Sequence, residues 1–530
     1  MGILNGIIVF WLLLSASMAW GAMESSNDQT EVKQCHFTRY PDLCHQTLMN
    51  SQKKHLGIIS ALIHKTISET KLPNTYFTSL SSKLDIEEAK RVQPVNDYCQ
   101  ELLSMSVKRL DQSLLALKNS PSKHKHDIQT WISAALTFQQ ACKDSSDNLG
   151  LSSDHMFHDM SRKMDYLSQL ASNPLALVNR IVGKIDKLGN ITKTRHLVEE
   201  SQDFPTWVSM KDRKLLQTTG IRANAVVAKD GTGNYMTISE AIKAAPGNGR
   251  FVIYVKAGVY KEKIRTSKDG ITLIGDGKYS TIIVGDDSVA GGSSMPGSAA
   301  ITGDQFIARD IGFQNTAGPK GAQALALYIA SDHSVLYRCS IAGYQDTIYA
   351  LALRQFYREC DIYGTIDFIF GNAAAVFQNC YIVLRRPLGG SYNVILANGR
   401  TDPGQNTGFS LHNCRITASS DFSPVKHNFN SYLGRPWKQY SRSVVMQSNI
   451  DDSITSRGWI EWPGAGSYSK TLYFAEYSNS GPGAGTSGRV KWPGFHAIGT
   501  PEAVKFTVGN FIAGSSWLPS TGVTFVSGLQ

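Results

Sequence analysis

Polar residues recur through the second half of this 530-residue chain at an interval of 21 or 22, and few folds accept such a period. Gln323 stands 22 residues before Gln345, Gln345 stands 22 before Asp367, and Asp346 stands 21 before Asp367. Aromatic and β-branched residues surround them, in Gly343-Tyr344-Gln345-Asp346-Thr347-Ile348-Tyr349 and in Gly364-Thr365-Ile366-Asp367-Phe368-Ile369-Phe370-Gly371. A fixed repeat of this length marks a solenoid in which each interval is one coil. Built from short strands, the coil belongs to a parallel β-helix, with equivalent positions stacked about 4.8 Å apart. A carboxylate inside an apolar strand is costly unless it is paired or titrated. Two amides and two carboxylates on one patch of rigid sheet therefore predict an active site.

The two halves differ in rhythm. Residues 31 to about 200 carry helical periodicity: Leu102, Leu103, Val107, Leu110, Leu114 and Leu117 recur at three- and four-residue steps within Tyr98–Leu117, one face of an amphipathic helix. Trp131–Cys142, with Ile132, Ala135, Leu136 and Phe138, repeats the pattern, and several such segments predict a helical bundle. After Ala223, short runs such as Phe251-Val252-Ile253-Tyr254-Val255 and Ile271-Thr272-Leu273-Ile274 alternate with Gly, Asn and Asp. That predicts an all-β solenoid. A β-sandwich is the alternative, but it would not favour the 21–22-residue recurrence. The expected organisation is a leader at 1–22, a bundle at 23–200, a linker at 201–222 and a β-helix at 223–530.

The leader combines an apolar run, Ile7 to Leu14, with small residues up to Ala22, the pattern of a secretory signal. A signal anchor is the alternative. No later stretch approaches the ~18 apolar residues of a membrane span, so the mature chain is not expected to be membrane-embedded. Eight cysteines agree with an oxidising compartment. Cys339 and Cys360 are 21 residues apart, and a coil-to-coil disulfide is expected there. Neither a CxxC pair nor an HExxH helix is present, so no metal site or cofactor is expected. Asn190-Ile191-Thr192 is an N-glycosylation sequon, and Lys211-Asp212-Arg213-Lys214-Leu215-Leu216 offers a dibasic processing point. From Gln217 onward, 28 Lys/Arg face 21 Asp/Glu, a net of +7 out of +10 for the chain. In a secreted protein this suits an acidic extracellular polymer better than nucleic acid, although a solvated surface without a partner has the same composition.

The late half resembles the plant pectin methylesterases. The matching segments are Gly258-Val259-Tyr260-Lys261-Glu262, Gln323-Ala324-Leu325-Ala326-Leu327, the Tyr344–Tyr349 and Gly364–Gly371 stretches, Leu433-Gly434-Arg435-Pro436-Trp437 and Ser516-Trp517-Leu518-Pro519-Ser520-Thr521-Gly522. The early half resembles the pectin methylesterase inhibitor module through Cys35–Cys44 and Trp131–Cys142. The dibasic linker is similar to the processing motif between the two in such precursors. The resemblance implies a right-handed parallel β-helix that removes methyl groups from the C6 carboxyl of polygalacturonate in the cell wall. It implies Asp367 as nucleophile, Asp346 as proton donor and acid/base, Gln323 and Gln345 as oxyanion donors, and Arg435 and Trp437 as substrate-site residues. Two departures stand out: Tyr328 where the family commonly has Arg, and Gly292-Ser293-Ser294 in place of a Thr-Thr-Phe stretch.

The chemistry supports the same roles. Ester hydrolysis needs a nucleophile, a proton donor for the departing alcohol and donors for the oxyanion. Arg435 is expected to hold the Asp367 carboxyl ionised, and burial beside a second carboxylate to keep Asp346 protonated. Tyr349, Phe356, Phe370, Trp437, Trp459 and Trp462 are candidate platforms for sugar rings, each also suited to a core position. Two rival functions use the same residues. A polygalacturonase would employ paired carboxylates, though glycoside cleavage leaves the glutamines idle, and a pectin-binding or inhibitor protein would need no turnover. The N-terminal bundle is expected to act on the β-helix in cis.

Overall fold

The computed structural model describes residues 33–49, 57–72, 76–77, 86–147, 155–189, 223–293, 297–464 and 468–530. The expected leader, the 201–222 linker with its dibasic run, Asn190 and Ser294 lie outside the described residues. The chain forms two compact units, Met1–Thr194 and Arg195–Gln530.

The first unit is helical, with Pro41–Met49, Ile58–Thr70, Ile86–Asn119, Lys125–Asp147 and His155–Gly189 as its α-helices. The apolar stripe of Tyr98–Leu117 lies on Ile86–Asn119 and is turned into the bundle. Leu102, Leu103 and Leu110 are buried, and Val107, Leu114 and Leu117 pack against the core. Disulfides join Cys35 to Cys44 and Cys99 to Cys142. The second bridges Ile86–Asn119 to Lys125–Asp147 across 43 residues of sequence, a constraint of about 4 kcal/mol by loop entropy.

The second unit is a right-handed parallel β-helix of three sheets with 11, 8 and 7 strands. Each complete coil gives one strand to each sheet, and the partial turns at the two ends add strands to the 11-stranded sheet. Ser334–Tyr337, Ser340–Ala342 and Ile348–Ala350 make one coil; Arg354–Arg358, Asp361–Gly364 and Ile369–Gly371 make the next. Their registers, Ser334 on Gln355, Ile341 on Ile362 and Ile348 on Ile369, all reproduce the 21-residue interval. Side-chain alternation along a strand sends Leu336, Tyr357 and Phe377 into the central core. It sends Val335, Phe356 and Val376 outward against Phe506, Phe511 and Trp517 of the C-terminal segment. The middle strands of the 11-stranded sheet are therefore buried on both faces.

Cys339, Cys360, Cys380 and Cys414 are buried free thiols, stacked in register because the residue after each pairs with its counterpart on the next coil. The expected Cys339–Cys360 disulfide is not formed. In-register side chains leave parallel strands side by side, so their Cβ atoms keep the ~4.8 Å strand spacing. A disulfide draws them to about 3.8 Å.

Among the described residues no helix is long and apolar enough to cross a membrane. Among the same residues no cluster of three His, Cys, Asp or Glu side chains is placed to hold a metal ion.

Candidate active site

The two aspartates do not lie inside strands, as the sequence suggested. Each sits at a corner two residues ahead of one, Asp346 before Ile348–Ala350 and Asp367 before Ile369–Gly371. Both have left-handed backbone, with φ of +61° and +48°. Asp tolerates that region better than most side chains, because its short polar group bonds locally. The corner swings both carboxyls onto the rim of the 7-stranded sheet. Register also corrects the pairing. Ile348 lies on Ile369, so Asp346 is the counterpart of Asp367, and the Asp346 N–H donates to Ile366 O at 3.0 Å. Gln345 pairs instead with Gln323, through a parallel bridge, and the Ala324 N–H donates to Gln345 O.

Asp367 is 4 % exposed and Arg435 8 %. The guanidinium grips the carboxylate in a fork: Nε donates to Oδ1 at 2.8 Å and Nη2 to Oδ2 at 2.5 Å. The remaining nitrogen, Nη1, donates to the Tyr392 hydroxyl at 2.9 Å, and the guanidinium lies 4.2 Å from the centre of the Trp462 ring. Arg435 is thus fixed on three sides, and a bidentate fork of this kind is among the strong charge-assisted contacts open to a carboxylate.

Burial pushes the Asp346 carboxyl well above its ordinary range, and the neighbouring Asp367 charge adds to it, against a smaller opposing pull from Arg435. Burial also raises Asp367, but the hydrogen bonds and charge of Arg435 act the other way. Arg435 is expected from sequence to hold the Asp367 carboxyl ionised, but desolvation outweighs the ion pair. The fork still makes Asp367 the carboxyl that loses its proton first, and Asp346 the one that keeps it longer. Arg435 itself is held protonated by Asp367 against its own burial.

Gln323 is exposed and Gln345 half-buried. Among the described residues neither side-chain amide is engaged in a hydrogen bond, so both are available to an oxyanion. The aromatic candidates separate cleanly. Tyr349 stacks on Phe370 with ring centres 4.3 Å apart, and Trp437 meets both edge-on at 6.4 and 5.9 Å. Trp437 fits only because residue 399 is glycine; a Cβ there would sit 2.8 Å from the indole ring. Phe356 and Trp459 are fully buried, and Trp459 Nε1 donates to Glu476. These two are core residues. Tyr328, one coil below Tyr349, meets it edge-on at 5.4 Å.

Tyr392 escaped the sequence reading. Ile369 pairs with Leu396, 27 residues on, so this coil carries a loop beyond the regular interval, and Tyr392 arrives at its end. The turn residues Pro387, Gly389 and Gly390 were the available signal.

Comparison with known proteins agrees with this geometry. Residues 224–515 match the family model Pectinesterase, and residues 30–177 match Plant invertase/pectin methylesterase inhibitor. The chain is 49% identical over 529 residues to the probable pectinesterase/pectinesterase inhibitor 54 of Arabidopsis thaliana, covering 96% of each. It is 50% identical over 436 residues to pectinesterase 2 of Citrus sinensis, covering 81% of each. Among solved structures, the pectin methylesterase from carrot is 50% identical, with a TM-score of 0.58, over 59% of this chain and all of that one (100%). The β-helix, the inhibitor-like helical unit ahead of it and these matches place the chain in the pectinesterase family, as a plant-type enzyme that hydrolyses the methyl esters of homogalacturonan.

Proposed function

We propose that Asp367 is the nucleophile and Asp346 the acid/base of this esterase. One observation carries the assignment: Arg435 forks onto Asp367, whereas burial and the Asp367 charge hold Asp346 protonated. Ionised Asp367 attacks the C6 carbonyl, and the oxyanion takes hydrogen bonds from the Gln323 and Gln345 amides. The C–O bond to methoxide breaks as Asp346 gives up its proton, and methanol leaves an acyl anhydride on Asp367. Water then attacks the anhydride while Asp346 takes its proton. The product leaves as the carboxylic acid and loses its remaining proton to solvent, and Asp367 is ionised again. Trp437, Tyr349 and Phe370 supply faces for the sugar ring and the ester methyl. The test is methanol release from esterified pectin by wild type and Asp367→Ala. Retained activity in the variant overturns the mechanism, and new reducing ends without methanol would indicate glycosidase chemistry.

The reading extends to the precursor. Residues 1–22 direct secretion to the cell wall, 23–200 act on the enzyme in cis, and cleavage in the 201–222 linker frees a β-helix of 223–530. The inhibitor-family match supports the second step, and the dibasic run supports the third. Asn190 is the proposed glycosylation site.

A further inference from the structure

The 8-stranded sheet carries a surface feature that the esterase mechanism does not use. Among the described residues of the β-helix, the strongly exposed aromatic side chains are Tyr279 and Tyr381, at 57% and 48% exposure. Both line a single groove of about 460 Å³. A second hollow of about 360 Å³ shares Lys278 and Tyr279 as a wall and continues along the same sheet past Tyr363. Each volume is in the ~300–1,000 Å³ range of ligand sites.

The groove is built from the register. Gly312, Ser340 and Asp361 occupy successive matched positions, and the two small residues leave the floor low. The Tyr279 side chain reaches Asp361 with its hydroxyl, which also meets the Tyr363 hydroxyl at 2.9 Å. The next position in register after Asp361 is Tyr381. Tyr381 therefore stands one coil from the carboxylate that the Tyr279 hydroxyl reaches, and hydrogen bonding holds the Tyr279 ring in place before any ligand arrives. Rigid, amphipathic tyrosines give contact area at low entropic cost.

Charge selects the ligand. Lys278 pairs with Asp361 at 2.7 Å, and Arg338 forks onto Asp310 at 2.7 and 2.6 Å. Arg385, at the far end, donates to Gly343 O and the Tyr344 hydroxyl. Three cationic residues thus share the lining with four carboxylates, those of Asp310, Glu359, Asp361 and Asp421. Such a surface offers hydroxyl donors and acceptors but no surplus positive charge for a polyanion.

We propose that this groove is a second, non-catalytic site for an uncharged polysaccharide chain, with the Tyr279 and Tyr381 rings stacked on pyranose faces and Asp361 and Arg338 taking sugar hydroxyls. The chain is either a neutral wall glycan or a fully esterified stretch of homogalacturonan. The site does not depend on the esterase mechanism.

The experiment has two arms, both on the full chain. Affinity electrophoresis through a soluble neutral β-1,4-glycan, and separately through de-esterified pectate, reads binding without turnover. Steady-state kinetics compares a long, highly esterified homogalacturonan with an esterified trimer. If a neutral glycan is the ligand, Tyr381→Ala weakens its retardation at least about tenfold and leaves the kinetics alone. If the esterified polymer is the ligand, the variant raises KM for the long polymer by a similar factor and leaves the trimer unchanged. Tyr279→Phe keeps the ring but loses the hydrogen bonds that hold it, and is expected to bind more weakly than wild type and more tightly than Tyr279→Ala. No effect of Tyr381→Ala in either arm overturns the proposal. Tyrosine-dependent retardation by pectate equal to that by the neutral glycan also overturns it.

Discussion

Asp346 and Asp367 are the same residue in the same corner of successive coils, so their difference in role comes from what each one meets. Removing either is expected to be severe. Asp367→Ala should abolish methanol release, while Asp346→Asn should lose about 10²–10⁴ in kcat through loss of the general acid. Gln345→Ala should lose about 10²–10³ if its amide is an oxyanion donor. The pH dependence has a defined sign. Activity rises as Asp367 ionises and falls as Asp346 loses its proton. Since burial raises both carboxyls, both limbs of kcat/KM should lie above the ordinary carboxylate range near pH 4. Arg435→Gln deletes the contribution that opposes burial at Asp367, so the acid limb should move to still higher pH. An acid limb that stays in place, measured with methanol release across pH, would separate Arg435 from the ionisation of Asp367. The spacing in the sequence made these residues visible, because a coil of constant length turns equal intervals into contact. It put Gln323 on Gln345, as the structure does, but it could not show the left-handed corner or that Asp346 rather than Gln345 is the counterpart of Asp367, since offsets of 21 and 22 are equally open to a coil read from composition.

Coils differ in what they add to the regular interval. Where the interval is kept, strands and core were legible: alternation in Arg354–Arg358 puts Tyr357 inside and Phe356 outside. The outward Phe356 was open to reading as a cleft residue because nothing near it in sequence announces the C-terminal segment that covers it. Phe356→Ala should therefore cost about 3–5 kcal/mol of stability, seen as a lower Tm, with KM unchanged in the surviving folded fraction. Where the interval is broken, the repeat was silent and only turn residues such as Pro387, Gly389 and Gly390 marked the change. The loop ending at Tyr392 brings a hydroxyl to Arg435 that no repeat foretells. Tyr392→Phe removes one acceptor of the guanidinium but leaves the fork on Asp367, so a loss of about tenfold in kcat/KM is expected, in line with about 1.5 kcal/mol for one hydrogen bond to a charged group.

At the scale of the molecule, the two halves were separable by periodicity alone, since helical and strand rhythms do not mix. The net charge of +7 on the late half acts on substrate through long-range fields. Raising the ionic strength from about 0.05 to 0.5 M shortens the Debye length severalfold. It should raise KM for partly de-esterified, charged polymer and leave KM for fully esterified polymer nearly constant; equal effects on both would place the charge away from the substrate path. If the helical unit inhibits in cis, residues 223–530 alone should show higher kcat/KM than the full chain.

The loops at the corner of the 7-stranded sheet lengthen one coil without disturbing its neighbours: the offset is 21 residues from Ile348 to Ile369, 27 from Ile369 to Leu396 and 38 from Leu396 to Gly434. Stability in such a stack is summed over adjacent layers, so extra chain at a corner is paid for locally and leaves the ladder intact. The active face is in this sense modular. Its walls can be lengthened, shortened or exchanged coil by coil while the carboxyl pair stays at a fixed height on the scaffold, which makes this one corner the place to graft new substrate preference.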